Sequence, residues 1–160
     1  MQVVVKPIGT IRTPFKTGNE IPIQSGMSKA VGEAILEEQY VDGLRSLDGF
    51  SHIILLYWFH RAREPVLLVK PYLDDHERGL FSTRAPSRPN PIGLSTVKLL
   101  RVEGACLTFE GADMLDETPL LDIKPFVPEF DNKPDAKSGW LADSMLRESS
   151  LHLSDDRFHE

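Results

Sequence analysis

The chain has 160 residues, 41% of them apolar, and 18 Lys and Arg against 24 Asp and Glu give a net charge of −6. That is one domain of ordinary size with enough apolar material for a core; no apolar run nears the roughly 20 residues of a membrane span, and the acidic balance argues against indiscriminate nucleic-acid binding. The single cysteine, Cys106, cannot form an internal disulfide, and no basic region followed by a long apolar stretch opens the chain, so a cytoplasmic protein without a signal peptide is expected.

Val3–Ile11 is β-branched and reads as a first strand. Thr13–Gly26, rich in Pro, Gly and polar residues, reads as a loop. Ala30–Tyr40 fits a helix, or equally a strand through Glu33–Leu36 followed by one helical turn before Gly43. Ser51–Phe59, nearly continuous apolar, predicts a strand buried on both faces. Val66–Val69 is another short strand, and Tyr72–Arg78 a charged loop. Leu94–Val102 and Ala105–Phe109 flank Glu103-Gly104, a two-residue hairpin signal. Leu120–Val127 is a last strand between Pro119 and Pro128. Asp131–Gly139 is linker-like, and Trp140–Leu151 predicts a rough amphipathic helix. The division is thus a barrel domain over 1–130 and a linker with a helical tail over 131–160. Strands outnumber helices and do not alternate with long ones, so the expected fold is mainly β, a single-sheet barrel with a few short helices, one of them near the C-terminus.

The chain is organised around Gly79–Ser95, GLFSTRAPSRPNPIGLS. Pro86, Pro89 and Pro91 bracket Asn90 and exclude a helix interior or central strand there. They predict a stiff loop, and Arg84 and Arg88 would hold two guanidinium forks on it, suited to a carboxylate or phosphate. Between Arg84 and Arg101 there are four bases and no acid, whereas Leu141 onward carries five acids and two bases. A local basic face on an acidic protein suits an anionic ligand bound at one place; the plainer alternative is a Pro-rich surface connection with ordinary charge scatter.

Other chemistry is weaker. His52 and His60 share a face of the expected strand but would lie roughly 26 Å apart, too far for one ion. Asp74, Asp75, His76 and Glu77 could ligate a metal, although four polar residues in a loop are ordinarily just solvated, so no metal is expected. Cys106 sits in an apolar strand context that disfavours a thiolate, and there is no G-x-S-x-G elbow. No P-loop or G-x-G-x-x-G follows a strand, so a nucleoside cofactor would need another architecture. In Glu110–Phe126, Asp113, Asp116 and Asp122 fall near strand ends with Lys124 following. Such carboxylates can bind ribose hydroxyls or accept a proton; turn chemistry is the alternative and accounts best for Asp116.

Four segments, IGTIRTPF, LDGFSHIILLYWFH, FSTRAPSRPNPIGLSTVKL and DMLDETPLLDIKPF, occur in this order across roughly residues 5–130. They make the chain similar to the TsaA-like, or TrmO, family. The resemblance implies a dimeric, S-adenosylmethionine-dependent tRNA methyltransferase on a β-barrel, acting on N6 of threonylcarbamoyl-adenosine at position 37, 3′ of the anticodon. It further implies a cofactor site near the subunit interface. Carried over by position, the cofactor would meet Ser25, Gly26 and Met27, then His60 and Arg61, then Arg84 and Leu94, with Glu110, Gly111, Ala112 and Asp113 closing the pocket. The chain departs from the family pattern at Ala85, where Ser is usual, at Glu117, where Gly is common, and at Phe126, where Tyr is common. Many bacterial relatives also carry an extra C-terminal domain thought to help hold tRNA.

Because a sulfonium is a built-in leaving group, neither a metal nor a covalent intermediate is needed, and the enzyme's main task is alignment. Asp113 or Asp122 could take the N6 proton, with Lys124 beside them. Arg88 or Lys124 could hold the threonyl carboxylate, and Arg84 and Asn90 complete the expected RNA-binding set. Two other functions compete: a non-catalytic RNA or adenosine-ligand binding module, and a metal-dependent hydrolase using Asp74–Glu77.

Overall fold

Alternation at period two, rather than helical spacing, governs most of the chain. In the computed structural model, which describes residues 1–19, 21–72 and 74–142, six strands close into a barrel. They are β1 (Gly9–Arg12), β2 (Val31–Leu36), β3 (His52–Trp58), β6 (Ile92–Glu103), β7 (Cys106–Glu110) and β8 (Thr118–Pro125). A two-stranded flap of β4 (Leu68–Val69) and β5 (Arg78–Gly79) intervenes after β3. The order around the barrel is β1-β2-β7-β6-β3-β8, every neighbour antiparallel. Closure removes the unpaired edges that an open sheet would expose. A short helix, α1 (Pro128–Asp131), follows β8, with proline at its first turn where a missing N–H costs nothing. The expected mainly β barrel with a short helix near the C-terminus is what the chain forms.

Inward-facing Ile11, Ile53, Leu55, Phe109 and Leu120 are fully buried. Each such side chain stabilises the fold by roughly 1.5–3 kcal/mol. β3 departs from expectation: Ile53, Leu55 and Tyr57 are buried, but His52, Ile54, Leu56 and Trp58 between them are only half-buried. A barrel has one filled interior, so only one face of β3 meets closed core.

The first strand is shorter than expected. Val3, Val4 and Val5 are exposed, and pairing starts at Gly9, opposite Leu36 and Leu120. Before that point Ile8 makes the last two bonds, its N–H donating to the Leu120 carbonyl and its carbonyl accepting from the Glu37 N–H, and pairing ends there as β2 turns into a 3-10 segment over Glu38–Leu44. Ala30–Tyr40 therefore takes its strand-then-turn alternative. The hairpin closes one residue later than expected, with Glu103 opposite Cys106 and Gly104-Ala105 as its turn. Gly104 has φ +56°, a conformation glycine adopts without strain. β6 begins at Ile92, so the Pro-rich loop ends earlier than Ser95 and its last four residues are strand. β8 starts two residues early and tolerates Pro119 beside its first position. Most of the helix expected over Trp140–Leu151 lies outside the described residues. Among the described residues no helix is long and apolar enough to cross a membrane.

Candidate active site

Antiparallel order brings the C-terminal ends of β1, β3 and β7 to the same end of the barrel as the starts of β2, β6 and β8. The loops at that end and the β4–β5 flap wall a cavity of about 810 Å³. This is the size range of a site for a drug-sized or nucleoside ligand. Its lining is largely apolar or aromatic, from Met27, Tyr57, Phe59, Tyr72 and Met114 among others, with Arg61, Arg84, Arg88 and Asp113 as charged exceptions.

Asp113 stands where β7 has left the barrel wall. Gly111 makes the bend at φ +107°, and its N–H and that of Ala112 both reach the Ala30 carbonyl, at 2.9 and 3.0 Å. A side chain at 111 would be strained and would meet the Ser25 carbonyl at 3.3 Å. The Asp113 carboxyl accepts a 2.6 Å hydrogen bond from the Ser95 hydroxyl, whose oxygen is 3.0 Å from Tyr57 Oη. Burial raises Asp113 from 3.8 to about 7; bonds from Ser95 and the Ser25 backbone and the charge of Arg84 pull the other way without prevailing. Burial, and next the Asp113 charge, push the Tyr57 phenol well above its ordinary value. Gly93, opposite Tyr57 across the β3–β6 ladder, makes room for that ring. A methyl group at 93 would lie 2.5 Å from Tyr57 Cζ and 2.8 Å from Cδ2.

The Pro-rich loop spends its two guanidinium groups differently. Arg84 is exposed at the cavity and donates to Gln24 Oε1 at 2.8 Å. Arg88 donates to the carbonyls of Thr83 and Ala85, at 3.0 and 3.3 Å, and lies over the Phe81 ring at 5.8 Å. Arg88 therefore braces the loop from within, and Arg84 is the cation presented to a ligand. The chain's tail returns to this rim: Trp140 Nε1 donates to the Ser82 carbonyl at 2.9 Å and its ring receives Arg78 at 5.2 Å. His60, also in the wall, is held below its ordinary pKa, chiefly by burial and then by Arg61.

The model of the tRNA-methyltransferase O N-terminal domain matches residues 10–132. The chain belongs to the TrmO family. It is 46% identical over 142 residues to a probable S-adenosyl-L-methionine-binding protein of Pyrococcus abyssi, covering 88% of this chain and 77% of that protein. It is 36% identical over 159 residues to the tRNA (adenine(37)-N6)-methyltransferase of Escherichia coli, covering 92% of this chain and 67% of the relative. The solved TrmO of Pseudomonas aeruginosa superposes with a TM-score of 0.75 at 39% identity, covering 88% of this chain. This chain spans 63% of that one.

Within the TrmO fold, Met27, His60, Arg61, Arg84, Arg88, Leu94 and Asp113 come together around the cavity. Ser25 is adjacent, its hydroxyl tied to the Thr96 carbonyl at 2.9 Å, and Gly26 follows it on the exposed side. Glu110, Gly111 and Ala112 form the support behind Asp113 rather than the wall; Glu110 faces Lys29 at 3.7 Å. Asn90 is exposed outside the cavity. Asp122 and Lys124 do not join the site. They form a 2.7 Å ion pair further along β8, and Asp122 borders a second cavity beside Ile8, Leu36 and Tyr40 at the opposite end. The sequence placed them near Asp113 because they follow it closely; β8 carries them down the barrel instead.

The three departures from the family pattern have local accounts of different quality. Ala85 is buried with Val69 and Leu80, where a methyl suffices. Glu117 adopts φ +63°, the left-handed conformation that favours glycine, and its carboxylate meets Arg12 at 2.9 Å. Phe126 packs edge-on to His52, just past the end of β8 that lies away from the site. Asp74 accepts hydrogen bonds from the His76 side chain and backbone and an ion pair from Arg78, which together hold its carboxyl below the usual range. Burial pushes the Cys106 thiol up. Sequence reasoning missed Tyr57 and Ser95. The available signal was a tyrosine on the inward face of β3, which needs a polar partner when buried.

Proposed function

We infer that this chain transfers a methyl group from S-adenosylmethionine to N6 of threonylcarbamoyl-adenosine at position 37 of tRNA. Family membership and the names of the relatives support the reaction class; the observation that supports the site is a half-buried Asp113, its carboxyl pushed up by burial, in a largely apolar cavity with Arg84 at its mouth. The residues fit the cofactor. Apolar and aromatic walls suit an adenosine and an aliphatic chain, and Arg84 suits a carboxylate. Bound there, the cofactor would supply a sulfonium-borne methyl to N6, the sulfur keeping the electron pair of the carbon–sulfur bond. Asp113 accepts the proton that N6 loses, a task for which a carboxyl titrating near 7 is matched to neutral pH. Arg84 and Arg61 hold anionic groups of cofactor or RNA at the rim, and the cavity walls exclude water.

The same proposal makes the protein a cytoplasmic homodimer that receives the anticodon loop, with the barrel over 1–130 and the tail over 131–160 as distinct parts. The exposed Phe81, Ile92 and Leu94 give the site an apolar rim for a second copy to cover. The test is mass spectrometry of nucleosides from threonylcarbamoyl-containing tRNA incubated with the chain and methyl-labelled cofactor. Label on the modified adenosine is expected. Cofactor binding without transfer would instead favour a sensing module.

A further inference from the structure

Ser95 and Tyr57 are buried polar groups that the chemistry above leaves without a task. Ser95 is 2% exposed and Tyr57 3%. They lie on adjacent strands, β6 and β3, and form a chain in which Tyr57 Oη, Ser95 Oγ and Asp113 Oδ1 succeed one another at 3.0 and 2.6 Å. Gly93 keeps the Tyr57 ring in place by leaving no side chain against it. The other groups facing Asp113 are the Arg84 guanidinium from the Pro-rich loop and the Ser25 backbone from the loop before β2.

We propose that Tyr57 and Ser95 are positioning residues that hold the Asp113 carboxyl toward the cavity and satisfy it in both protonation states. This rests on Asp113 being the proton acceptor. A hydroxyl can donate to one neighbour and accept from another, and its hydrogen can rotate. With Asp113 ionised, Tyr57 donates to Ser95 and Ser95 donates to the carboxylate. Once Asp113 has taken a proton, the direction reverses: Asp113 donates to Ser95 and Ser95 donates to Tyr57 Oη. Both links of the chain persist in either state, and only the Tyr57 O–H gives up its acceptor when the direction reverses, so the Asp113 carboxyl takes its proton without losing its hydrogen bond. Tyr57, deep in the barrel with its phenol pushed up, stays neutral throughout and ends the relay.

The test is carbon NMR titration of the Asp113 carboxyl in the full chain without ligand, compared with the pH profile of methyl transfer. Ser95→Ala removes a bond that is charge-assisted, and therefore stronger, when Asp113 is ionised, so Asp113 is expected to titrate roughly one pH unit higher. The acid limb of the transfer profile should move with it. Tyr57→Phe, which keeps the ring, should move both by a smaller amount in the same direction, and Ser95→Thr should restore the wild-type midpoint. A merely structural role for Ser95 would lower transfer at every pH and leave the midpoint still. An unmoved Asp113 in both Ser95→Ala and Tyr57→Phe overturns the relay whatever the activity. Absence of transfer by the wild-type chain instead refutes the enzyme reading, and the titration still decides the relay.

Discussion

Replacing Asp113 by Asn should stabilise the protein and abolish its chemistry, and the stabilisation should depend on pH in a defined way. The carboxyl ordinarily titrates at 3.8 and is raised to about 7 in the fold. Below pH 3.8 it is protonated in both folded and unfolded chains and contributes nothing. Between 3.8 and 7 the unfolded chain releases the proton while the folded chain keeps it, so stability falls as pH rises. At about 1.4 kcal/mol for each pH unit, the loss reaches about 4 kcal/mol by neutrality and is constant above it. That figure is an upper bound, because one side of the carboxyl borders an open cavity. Asn does not titrate and still accepts the Ser95 bond, so it escapes the loss. Urea unfolding of both proteins from pH 4 to pH 8.5 measures the difference, and other titrating groups cancel in it. The advantage of Asp113→Asn should be near zero at pH 4 and grow to a few kcal/mol by pH 8, while methyl transfer falls at least ~100-fold. A difference that stays flat with pH would refute a raised Asp113, and with it the electrostatic argument for the site.

Gly93→Ala should cost roughly 1–3 kcal/mol by thermal or urea unfolding, because its methyl would overlap the Tyr57 ring; unchanged stability would mean the ring is free to move. Arg84→Ala should weaken S-adenosylmethionine binding about tenfold in low-salt calorimetry, and an unchanged Kd would remove Arg84 from the ligand site. Asp116→Ala should cost about 1–3 kcal/mol, since it orphans the buried Thr13 N–H that Asp116 accepts at 2.9 Å. Burial pushes the Asp116 carboxyl up, but the Lys16 ammonium, the Thr13 N–H and the Arg12 guanidinium outweigh it and hold it below its ordinary value. Its contribution is therefore present above pH 3.8 and lost in more acid solution, so the variant's deficit measured by urea unfolding should shrink below pH 4.

Much of the fold was legible because strand signals are local. The β-branched and apolar runs placed β3, β6, β7 and β8, and the prolines between Pro86 and Pro91 marked the loop before β6. Strand ends were less legible, as at Val3–Ile8, because pairing stops where the partner strand stops, and a partner is not a local property. The site was legible where one segment carries several contributors: Arg84 and Arg88 share a loop, and Asp113 follows a strand.

Sequence alone determined that the chain is a mainly β domain with a cationic, proline-stiffened loop, and its motifs determined the family. Only the tertiary structure decided the division of labour within the site. It turned Arg88 inward onto Thr83 and Ala85 and left Arg84 facing the cavity. It carried Asp122 and Lys124 to the other end of the barrel. It also joined Tyr57, Ser95 and Asp113, which lie 38 and 18 residues apart along the chain, through two hydrogen bonds. The reason is geometric: residue type fixes what a side chain can do, but barrel closure and register fix which side chains it meets.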